Sequence, residues 1–379
     1  MHRSPCIFSF FSGSGFLDLG FESIGFNVAY VNEIFPPFIQ AYRHSRQCLN
    51  LPQPEYGREG EEADVTRLVE GKPALHLREL MQDARQNHNI IGFIAGPPCP
   101  DFSIGGKNRG GEGDKGKLSA SYIELISQQQ PDFFLFENVK GLWRTKKHKA
   151  FYDELKNKLS EAGYIFVERL INAIEYGVPQ DRDRIILIGF RKTIIKNLGI
   201  FIDEKSPMLP ENSFPWLSQI LYPKSEVFSN PWPERNAFAS DAFLPCPDGI
   251  PQELTVEFWF QKNDVLNHPN AKHYFKPKAG IKRFASVDEG DDSKKSFKRL
   301  HRWRYSPTAC YGNNEVHLHP YKVRRLSVAE TLAIQSLPKE FALPDQMTLT
   351  NMFKTVGNGV PYLASQAIAQ TIYQFLQTK

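Results

Sequence analysis

Cys99 is the side chain in this sequence best suited to nucleophilic chemistry. It follows the apolar run 90–95 directly after Gly96-Pro97-Pro98, and Pro100 comes next. The run predicts a buried strand, and open α/β sheets carry their chemistry at the carboxyl ends of strands. The prolines fix φ on both sides of the cysteine and so stiffen the loop. Taken alone, the motif is more typical of a small buried cysteine in a proline-rich turn.

Two further polar clusters lie at the ends of apolar runs. Glu137 ends the run 133–136, and Arg182 and Arg184 lead into the run 185–190. Singly, these could be a surface carboxylate and a solvated edge strand. Together with Cys99 they predict a site at which a thiol, a carboxylate and paired guanidinium groups converge.

A glycine-containing loop joins the first predicted strand to the first helix. Gly13 and Gly15 would let the backbone approach a ligand, and the following helix directs N–H groups towards it. Glu33, about 20 residues later, stands where an acid commonly binds ribose hydroxyls. Phe16 interrupts the full GxGxxG pattern, which favours a nucleoside without a pyrophosphate. Asp64 could bind an adenine amino group, or be a surface turn residue.

Composition limits the class of protein. The chain has 379 residues, a formal charge of +4 and 41% hydrophobic residues, enough for a large core and a second, smaller domain. Its five cysteines show neither CxxC pairs nor a histidine cluster, so we expect no metal site and a reducing compartment. No apolar stretch reaches the roughly 20 residues that span a bilayer. We therefore expect a cytoplasmic protein with no membrane partner.

Short apolar runs alternate with amphipathic segments as far as about residue 192. This alternation predicts an α/β fold with a doubly wound, mostly parallel sheet. Strands are predicted at Ile7–Phe11, Val28–Asn32, Ile90–Ala95, Phe133–Phe136, Tyr164–Ile171 and Arg184–Phe190. Helices are predicted at Phe16–Ile24, Pro37–His44, Ala74–Asn87, Leu118–Gln129, Lys149–Ala162, Val328–Ser336 and Tyr362–Leu376.

The character of the sequence changes after Arg191. Proline, aromatic residues and single charges dominate there without sustained periodicity, which indicates a smaller irregular domain. Within it, cations alternate with aromatic residues over 294–305, a composition suited to nucleic-acid contact or to a solvated basic loop. We therefore place domain boundaries near residues 192 and 345.

The order of these motifs resembles the DNA cytosine-5 methyltransferases of bacterial restriction-modification systems. The matching blocks are the glycine loop with Glu33, Pro98-Cys99, Glu137-Asn138-Val139, Gln180-x-Arg182-x-Arg184, Arg325-Leu326-Ser327-x-x-Glu330 and Gly357-Asn358-Gly359-Val360. They span nearly the whole chain, apart from residues 193 to about 300, the variable target-recognition region of that family. The resemblance implies a Rossmann-like catalytic and cofactor-binding domain at 1–192 that uses S-adenosyl-L-methionine. It also implies a target-recognition domain at 193–345 and a segment at 346–379 that returns to the first domain.

The resemblance also implies catalytic roles. Cys99 would add to C6 of cytosine, so that C5 can attack the sulfonium methyl group. Glu137 would contact the ring N3 and the exocyclic amine, and Arg184 and Arg182 would steady the base. Because the ring cannot be attacked inside a duplex, the target cytosine would be flipped out of the stack.

Cofactor and DNA contacts follow from the same resemblance. The implied cofactor residues are Phe11, Ser12, Gly13, Ser14, Gly15, Phe16, Glu33, Ile34, Asp64, Val65, Pro98, Leu118, Asn358 and Val360. The DNA-binding candidates are Lys298, Arg299, Arg302, Arg304 and Thr308. Ser9, Phe16 and Ile34 depart from the family's usual residues at the cofactor loop.

The expected partner is double-stranded DNA, bound by a monomer that is nucleoid-associated through it and works with a cognate restriction endonuclease. Methylation of transfer RNA is one alternative, although a recognition region of about 130 residues argues against it. A DNA-binding protein that has lost methylation is another, and intact Cys99, Glu137 and Arg184 argue against that.

Overall fold

The computed structural model of the chain describes residues 4–98, 114–203, 206–277, 281–294, 296–308, 311 and 317–377. Cys99 lies outside these residues.

A twisted sheet of seven strands forms the centre of the described structure. Its order is β3-β2-β1-β4-β5-β7-β6, with every neighbouring pair parallel except those that involve β7. The strands are β1 (Cys6–Phe10), β2 (Asn27–Glu33), β3 (Tyr56–Glu59), β4 (Ile91–Ala95), β5 (Phe133–Val139), β6 (Tyr164–Asn172) and β7 (Asp183–Arg191).

Six of these strands are those predicted from the apolar runs, and the mostly parallel doubly wound sheet is confirmed. Strand β3 was not predicted. It is a four-residue edge strand, YGRE, whose side chains alternate between half-buried and exposed. Such a strand lacks the apolar run by which the inner strands of a parallel sheet are recognised.

Helices cover both faces of the sheet. Those of the described chain are α1 (Phe16–Glu22), α2 (Pro36–Cys48), α3 (Gly71–Asn87), α4 (Asp114–Gln129), α5 (Lys146–Glu161), α6 (Lys192–Asn197), α7 (Lys224–Ser229), α8 (Val256–Lys262), α9 (Ile281–Ala285), α10 (Val328–Ile334), α11 (Leu349–Asn358) and α12 (Tyr362–Gln377). The seven predicted helices are all present, with ends that differ by a few residues. Helices α6, α7, α8, α9 and α11 were not predicted.

Two apolar clusters fill the space between the sheet and its helices. On one face, Phe21 of α1 and Ile368 and Phe375 of α12 pack with Phe133 of β5. On the other, aromatic residues of β1 and β4 pack with residues of α3, α4 and α5. Helix α12 is thus part of the sheet's core. Its packing fixes the preceding block 357–360 close to the glycine loop between β1 and α1.

The segment from 198 to 322 has little regular structure in its described part. Its strands are the two-residue pair β8 (Lys298–Arg299) and β9 (His317–Leu318). Its own apolar clusters are small, and one of them includes residues of α8 and α10. Without long ladders or helices, polar side chains must satisfy many of its backbone groups.

Candidate active site

Glu137 and Arg184 meet at one edge of the sheet. Strand β5 ends as the antiparallel β7 begins, and Glu137 pairs with Ile186 while Val139 pairs with Arg184. Arg184 is therefore the diagonal neighbour of Glu137, within reach of a long side chain. Its Nε donates to Oε1 of Glu137 over 2.9 Å, with both side chains largely buried. The pair fixes the direction of the carboxylate.

Gly96 lets the Glu137 carboxylate lie against the loop after β4. A Cβ at position 96 would stand 2.8 Å from Oε2 of Glu137, closer than a side chain tolerates. Gly96 is three residues before Cys99, and Pro98, the last described residue before it, is half-buried. The carboxylate thus borders the start of the loop that carries the predicted nucleophile.

Arg182 has a different environment from Arg184. Its side chain is 2% exposed, and its Nη2 donates to the carbonyls of Gly357 and Gly359 at 2.9 and 3.1 Å. These contacts tie the start of β7 to the block 357–360. We expected Arg182 to act on the base, whereas this geometry is that of a positioning residue that joins the two parts of the site.

Glu33 and the glycine loop form a second polar site at the carboxyl ends of β1 and β2. Oε2 of Glu33 accepts the Gly13 N–H at 2.8 Å, and Oε1 accepts the Phe35 N–H at 2.7 Å. Burial raises the pKa of this carboxyl, and the hydrogen bonds and the Lys354 charge oppose the rise. Each carboxylate oxygen has a second lone pair, so Glu33 can still accept a ligand hydroxyl.

The loop leaves room for a nucleoside. Gly13 has φ +59°, and a Cβ built there would meet no atom within 4 Å. Phe11, half-buried beside it, also has a positive φ of 52°. This open space lies next to Glu33, which can still accept hydrogen bonds, and so it fits the ribose of S-adenosylmethionine. Phe11 lies where its ring could contact the adenine.

A buried hydroxyl network supports this loop from below. The Ser12 hydroxyl donates to Oγ of Ser9 at 2.9 Å, and Ser9 donates to Oδ1 of Asp18 at 2.6 Å. Burial raises the pKa of Asp18 to about 6, although the hydrogen bond from Ser9 opposes the shift. Ser9, one of the departures from the family's usual residues, thereby works with an acid supplied by α1.

The structure differs from the prediction at Phe16. Its ring is 2% exposed and packs edge-on against Phe341, with centroids 5.2 Å apart. The ring also fills the space where a Cβ at Gly359 would stand. A side chain enclosed in this way packs the block 357–360 against α1.

The carboxyl-terminal block reaches the cofactor loop through Ser14. Its hydroxyl shares a 2.7 Å hydrogen bond with the hydroxyl of Thr355, near the end of α11. Asn358 is exposed and Val360 is buried. Thr355 and Lys354 were not singled out in the sequence, because α11 itself was not predicted.

The remaining predicted cofactor residues have varied surroundings. Ile34 is 49% exposed, whereas Val65 is 2% exposed in the apolar cluster that Phe11 borders. Oδ1 of Asp64 accepts the N–H and the hydroxyl of Thr66, so this carboxylate also caps a short 3₁₀ turn. Leu118, on α4, is half-buried.

Arg299 and Arg302 differ from the DNA-contact prediction because both are buried, at 0% and 6% exposure. Arg299 donates to the backbone carbonyls of Phe284, Val287, His319 and Lys322. Arg302 forms a two-pronged ion pair with Glu289, at 2.8 and 2.9 Å. Guanidinium groups with all these internal acceptors replace missing secondary structure and do not face a phosphate.

Three of the DNA-binding candidates keep solvent access. Lys298, Arg304 and Thr308 are half-buried. The Thr308 hydroxyl donates to the carbonyl of Asp181, and Ser306 exchanges backbone hydrogen bonds with Pro179 and Asp181. The segment 306–308 therefore lies alongside the residues that lead into Arg182 and Arg184.

A second group of cations borders the active-site edge and was not singled out in the sequence. Arg144, Lys146 and Lys149 are exposed and follow Glu137-Asn138-Val139 by a few residues. Helix α5 has no acidic residue in its first turn, so these charges oppose the helix dipole unless an anion lies near. The run of lysine and arginine residues in 140–149, directly after β5, was the sequence signal that could have identified this group.

Among the described residues, no group of three metal-ligating side chains is close enough to hold an ion. No helix within those ranges has the length and apolar composition required to cross a bilayer.

The fold and these two sites define a class, the α/β methyltransferases. The C-5 cytosine-specific DNA methylase family profile matches residues 6–374. The chain belongs to this family and is a DNA cytosine-5 methyltransferase, as the order of its motifs predicted.

Full-length relatives agree with that assignment. The chain is 53% identical to the Type II methyltransferase M.NmeDI of Neisseria meningitidis serogroup C, over 99% of this chain and 85% of that one. It is 26% identical to the Type II methyltransferase M.MthTI of Methanothermobacter thermautotrophicus, over 98% of each.

Solved structures show the same fold. A putative DNA modification methyltransferase encoded within an E. coli prophage superposes with a TM-score of 0.63 and 23% identity, over 98% of this chain and 99% of that one. Dnmt2 of S. pombe superposes with a TM-score of 0.59 and 12% identity, over 99% of each chain.

Proposed function

We propose that this enzyme methylates C5 of one cytosine within a specific double-stranded DNA sequence, using S-adenosylmethionine and a covalent Cys99 intermediate. The observation that carries the proposal is the buried Glu137–Arg184 pair, whose carboxylate lies against Gly96, three residues before Cys99. A thiol three residues along this loop from Gly96 could act on the same ring as the Glu137 carboxylate. The target base would be flipped out of the duplex to reach them.

The protein's own residues would share the steps as follows. The Cys99 thiolate forms a bond to C6, while Glu137 places a proton on the ring N3, which makes C5 nucleophilic. After C5 is methylated, the C5 proton is lost to a base, the C6–S bond breaks with its electron pair going to sulfur, and N3 returns its proton to Glu137. These changes restore the aromatic ring, the Cys99 thiolate and the Glu137 carboxylic acid. Arg184 holds the Glu137 carboxylate in position through its 2.9 Å contact.

The cofactor would lie between the glycine loop and the block 357–360. Glu33 would accept hydrogen bonds from the ribose hydroxyls, and Phe11 would contact the adenine. Gly13, which has no side chain, would allow the cofactor to approach the backbone closely. S-adenosylmethionine supplies an electrophilic methyl group on its sulfonium. Phe16 and Arg182 would act indirectly, since each holds the carboxyl-terminal block in place.

DNA would be held by cations from two segments of the chain. Lys298 and Arg304 in the recognition region, and Arg144, Lys146 and Lys149 after β5, keep solvent access and could bind phosphate groups. The relatives are named Type II methyltransferases, which supports a protective role beside a cognate restriction endonuclease. We propose that the enzyme acts as a monomer on DNA in the cytoplasm.

Methylation mapping tests the activity and the substrate. The protein is expressed in cells that lack DNA cytosine methylation, and their DNA and transfer RNA are both sequenced after bisulfite treatment. We expect 5-methylcytosine at one short DNA sequence and none in transfer RNA. Methylation of transfer RNA alone, or of neither, would contradict the proposal.

Trapping tests the covalent step. A duplex that carries 5-fluorocytosine at the mapped target should form a stable adduct, because fluorine cannot leave as a proton does. Peptide mapping should place the adduct on Cys99, and Cys99→Ser should abolish both the adduct and turnover. The matched control Cys246→Ser, at a partly exposed cysteine in the recognition region, should behave like the wild type. An adduct on another cysteine would refute the assignment.

A further inference from the structure

Phe243 is 89% exposed in the recognition region. Single exposed apolar side chains are common on protein surfaces, so the exposure alone carries little information. Phe243 differs from an ordinary surface residue in how the chain on either side of it is held.

The carbonyl groups on both sides of Phe243 accept hydrogen bonds from Arg302, which is buried, and Trp303, which is half-buried. Nη1 of Arg302 donates to the carbonyl of Ala242 at 2.7 Å, and Nε1 of Trp303 donates to the carbonyl of Leu244 at 2.8 Å. The Arg302 guanidinium is itself locked by Glu289. The backbone at Phe243 is therefore held from both neighbours, while its ring stays in solvent.

Phe243 belongs to the loop 236–244, and the rest of this loop is anchored by Glu289 and by residues 299–303. Asn236 exchanges backbone hydrogen bonds with Glu289, and its side chain bonds Nε2 of His301 at 2.8 Å. The Phe238 ring lies 3.8 Å from the Arg299 guanidinium carbon. The cations and aromatic residues of 299–303 thus face inward and grip the loop 236–244.

The anchoring stretch also leads directly to the active site. Ser306 is the third residue after Trp303, so their Cα atoms are at most about 11 Å apart. Ser306 is hydrogen-bonded to Pro179 and Asp181, just before Arg182 and Arg184. The loop that presents Phe243 is thereby connected, through residues 303–306, to the segment that precedes Arg184.

We propose that Phe243 is a DNA-contacting residue that stacks on, or wedges between, bases of the target duplex. This inference rests on the proposed DNA substrate and extends it to a particular side chain. An aromatic ring gives up water favourably against a base face, and apolar wedges are used to unstack base steps. A pre-ordered loop lowers the entropy lost on binding.

Two pairs of variants test this role. Phe243→Ala is compared with Phe201→Ala, since Phe201 is also exposed, at 82%, and lies outside the loop. Transfer of labelled methyl groups to plasmid DNA from a methylation-deficient host gives kcat/KM. We expect Phe243→Ala to lower it about 5- to 150-fold, the range given by loss of one base–aromatic stack. Phe201→Ala and the thermal unfolding of both variants should match the wild type.

Tryptophan substitution reports stacking without turnover. Phe243→Trp should lose fluorescence relative to the wild type when the same plasmid DNA is added, and Phe201→Trp should not. Unchanged kcat/KM for Phe243→Ala, or no quenching at position 243, would overturn the inference. If the wild type transfers no methyl group but Trp at 243 is quenched, the proposed function fails while the DNA contact stands.

Discussion

Glu137–Arg184 at the sheet edge and Glu289–Arg302 in the recognition region are both ion pairs between a glutamate and an arginine that are mostly enclosed by protein. Their settings differ. The first lies at the ends of two long strands, against the loop that leads to Cys99. In the second pair, Glu289 also accepts the Arg302 backbone N–H, and Arg302 also donates to the Ala242 carbonyl. This pair therefore joins separate parts of an irregular chain.

This difference shows what the same pair of residue types can be used for. Where a sheet already satisfies the backbone, an arginine is available to orient a catalytic carboxylate. Where ladders are absent, arginines supply the hydrogen bonds that the backbone would otherwise lack. The distinction depends on the acceptors around each guanidinium, and the prediction that Arg299 and Arg302 contact DNA did not take those acceptors into account.

The largest effect is expected from the sheet-edge pair. Glu137→Gln keeps a neutral hydrogen-bonding group beside Arg184 but removes the proton-transfer function. We expect kcat to fall by about 10²- to 10⁴-fold, with S-adenosylhomocysteine binding by calorimetry unchanged. Glu253→Gln, at an exposed glutamate, is the control. If the two variants have the same kcat, Glu137 has no role in the chemistry.

The recognition-region pair should affect stability first. Arg302→Ala leaves the Glu289 carboxylate buried without its cation, which costs about 3–5 kcal/mol in comparable cases. Urea denaturation would measure the free energy of unfolding. Arg304→Ala, at a half-buried neighbour, should stay within about 0.5 kcal/mol of the wild type. Equal losses for both variants would remove the distinction drawn between these arginines.

The exposed cations after β5 should affect DNA affinity and leave stability unchanged. If Lys146 and Lys149 each neutralise one phosphate, replacing both by alanine should lower the slope of log K against log salt by about two units. The affinity for target and scrambled duplexes should fall alike. Lys72→Ala, at an exposed lysine of α3, serves as the control. A double variant with the wild-type slope would place these lysines outside the DNA interface.

The smallest effect concerns Asp18 beneath the cofactor loop. Burial raises its pKa from 3.8 to about 6, so the native state holds a proton that the unfolded state has released between these pH values. This contribution to stability therefore decreases as pH rises from about 4 to about 6. Asp18→Asn should gain stability relative to the wild type over that window.

Denaturant titrations at several pH values would measure this difference. Asp248→Asn, at an exposed aspartate, supplies the comparison. A difference between Asp18→Asn and the wild type that stays constant from pH 4 to 6 would show that Asp18 does not titrate there.

The sequence by itself determined the sheet and the edge at which chemistry gathers. Buried parallel strands are continuous apolar runs, so six strands and the positions of Glu137 and Arg184 at their ends could be read directly. The family followed from motif order. Strand β3, the two-residue strands β8 and β9, and helices α6, α7, α8, α9 and α11 were missed. Such short strands carry no apolar run, and no helical periodicity was recognised in the sequence of these helices.

Only the tertiary structure decided which side chains face outward in the irregular half. Arg299 and Arg302 look like surface cations in a sequence, because charge is the only property visible there. Their burial follows from acceptors distant in the chain, such as His319 for Arg299 and Glu289 for Arg302. No local pattern encodes these contacts, and the exposure of Phe243 depends on them, since they hold the loop that carries it.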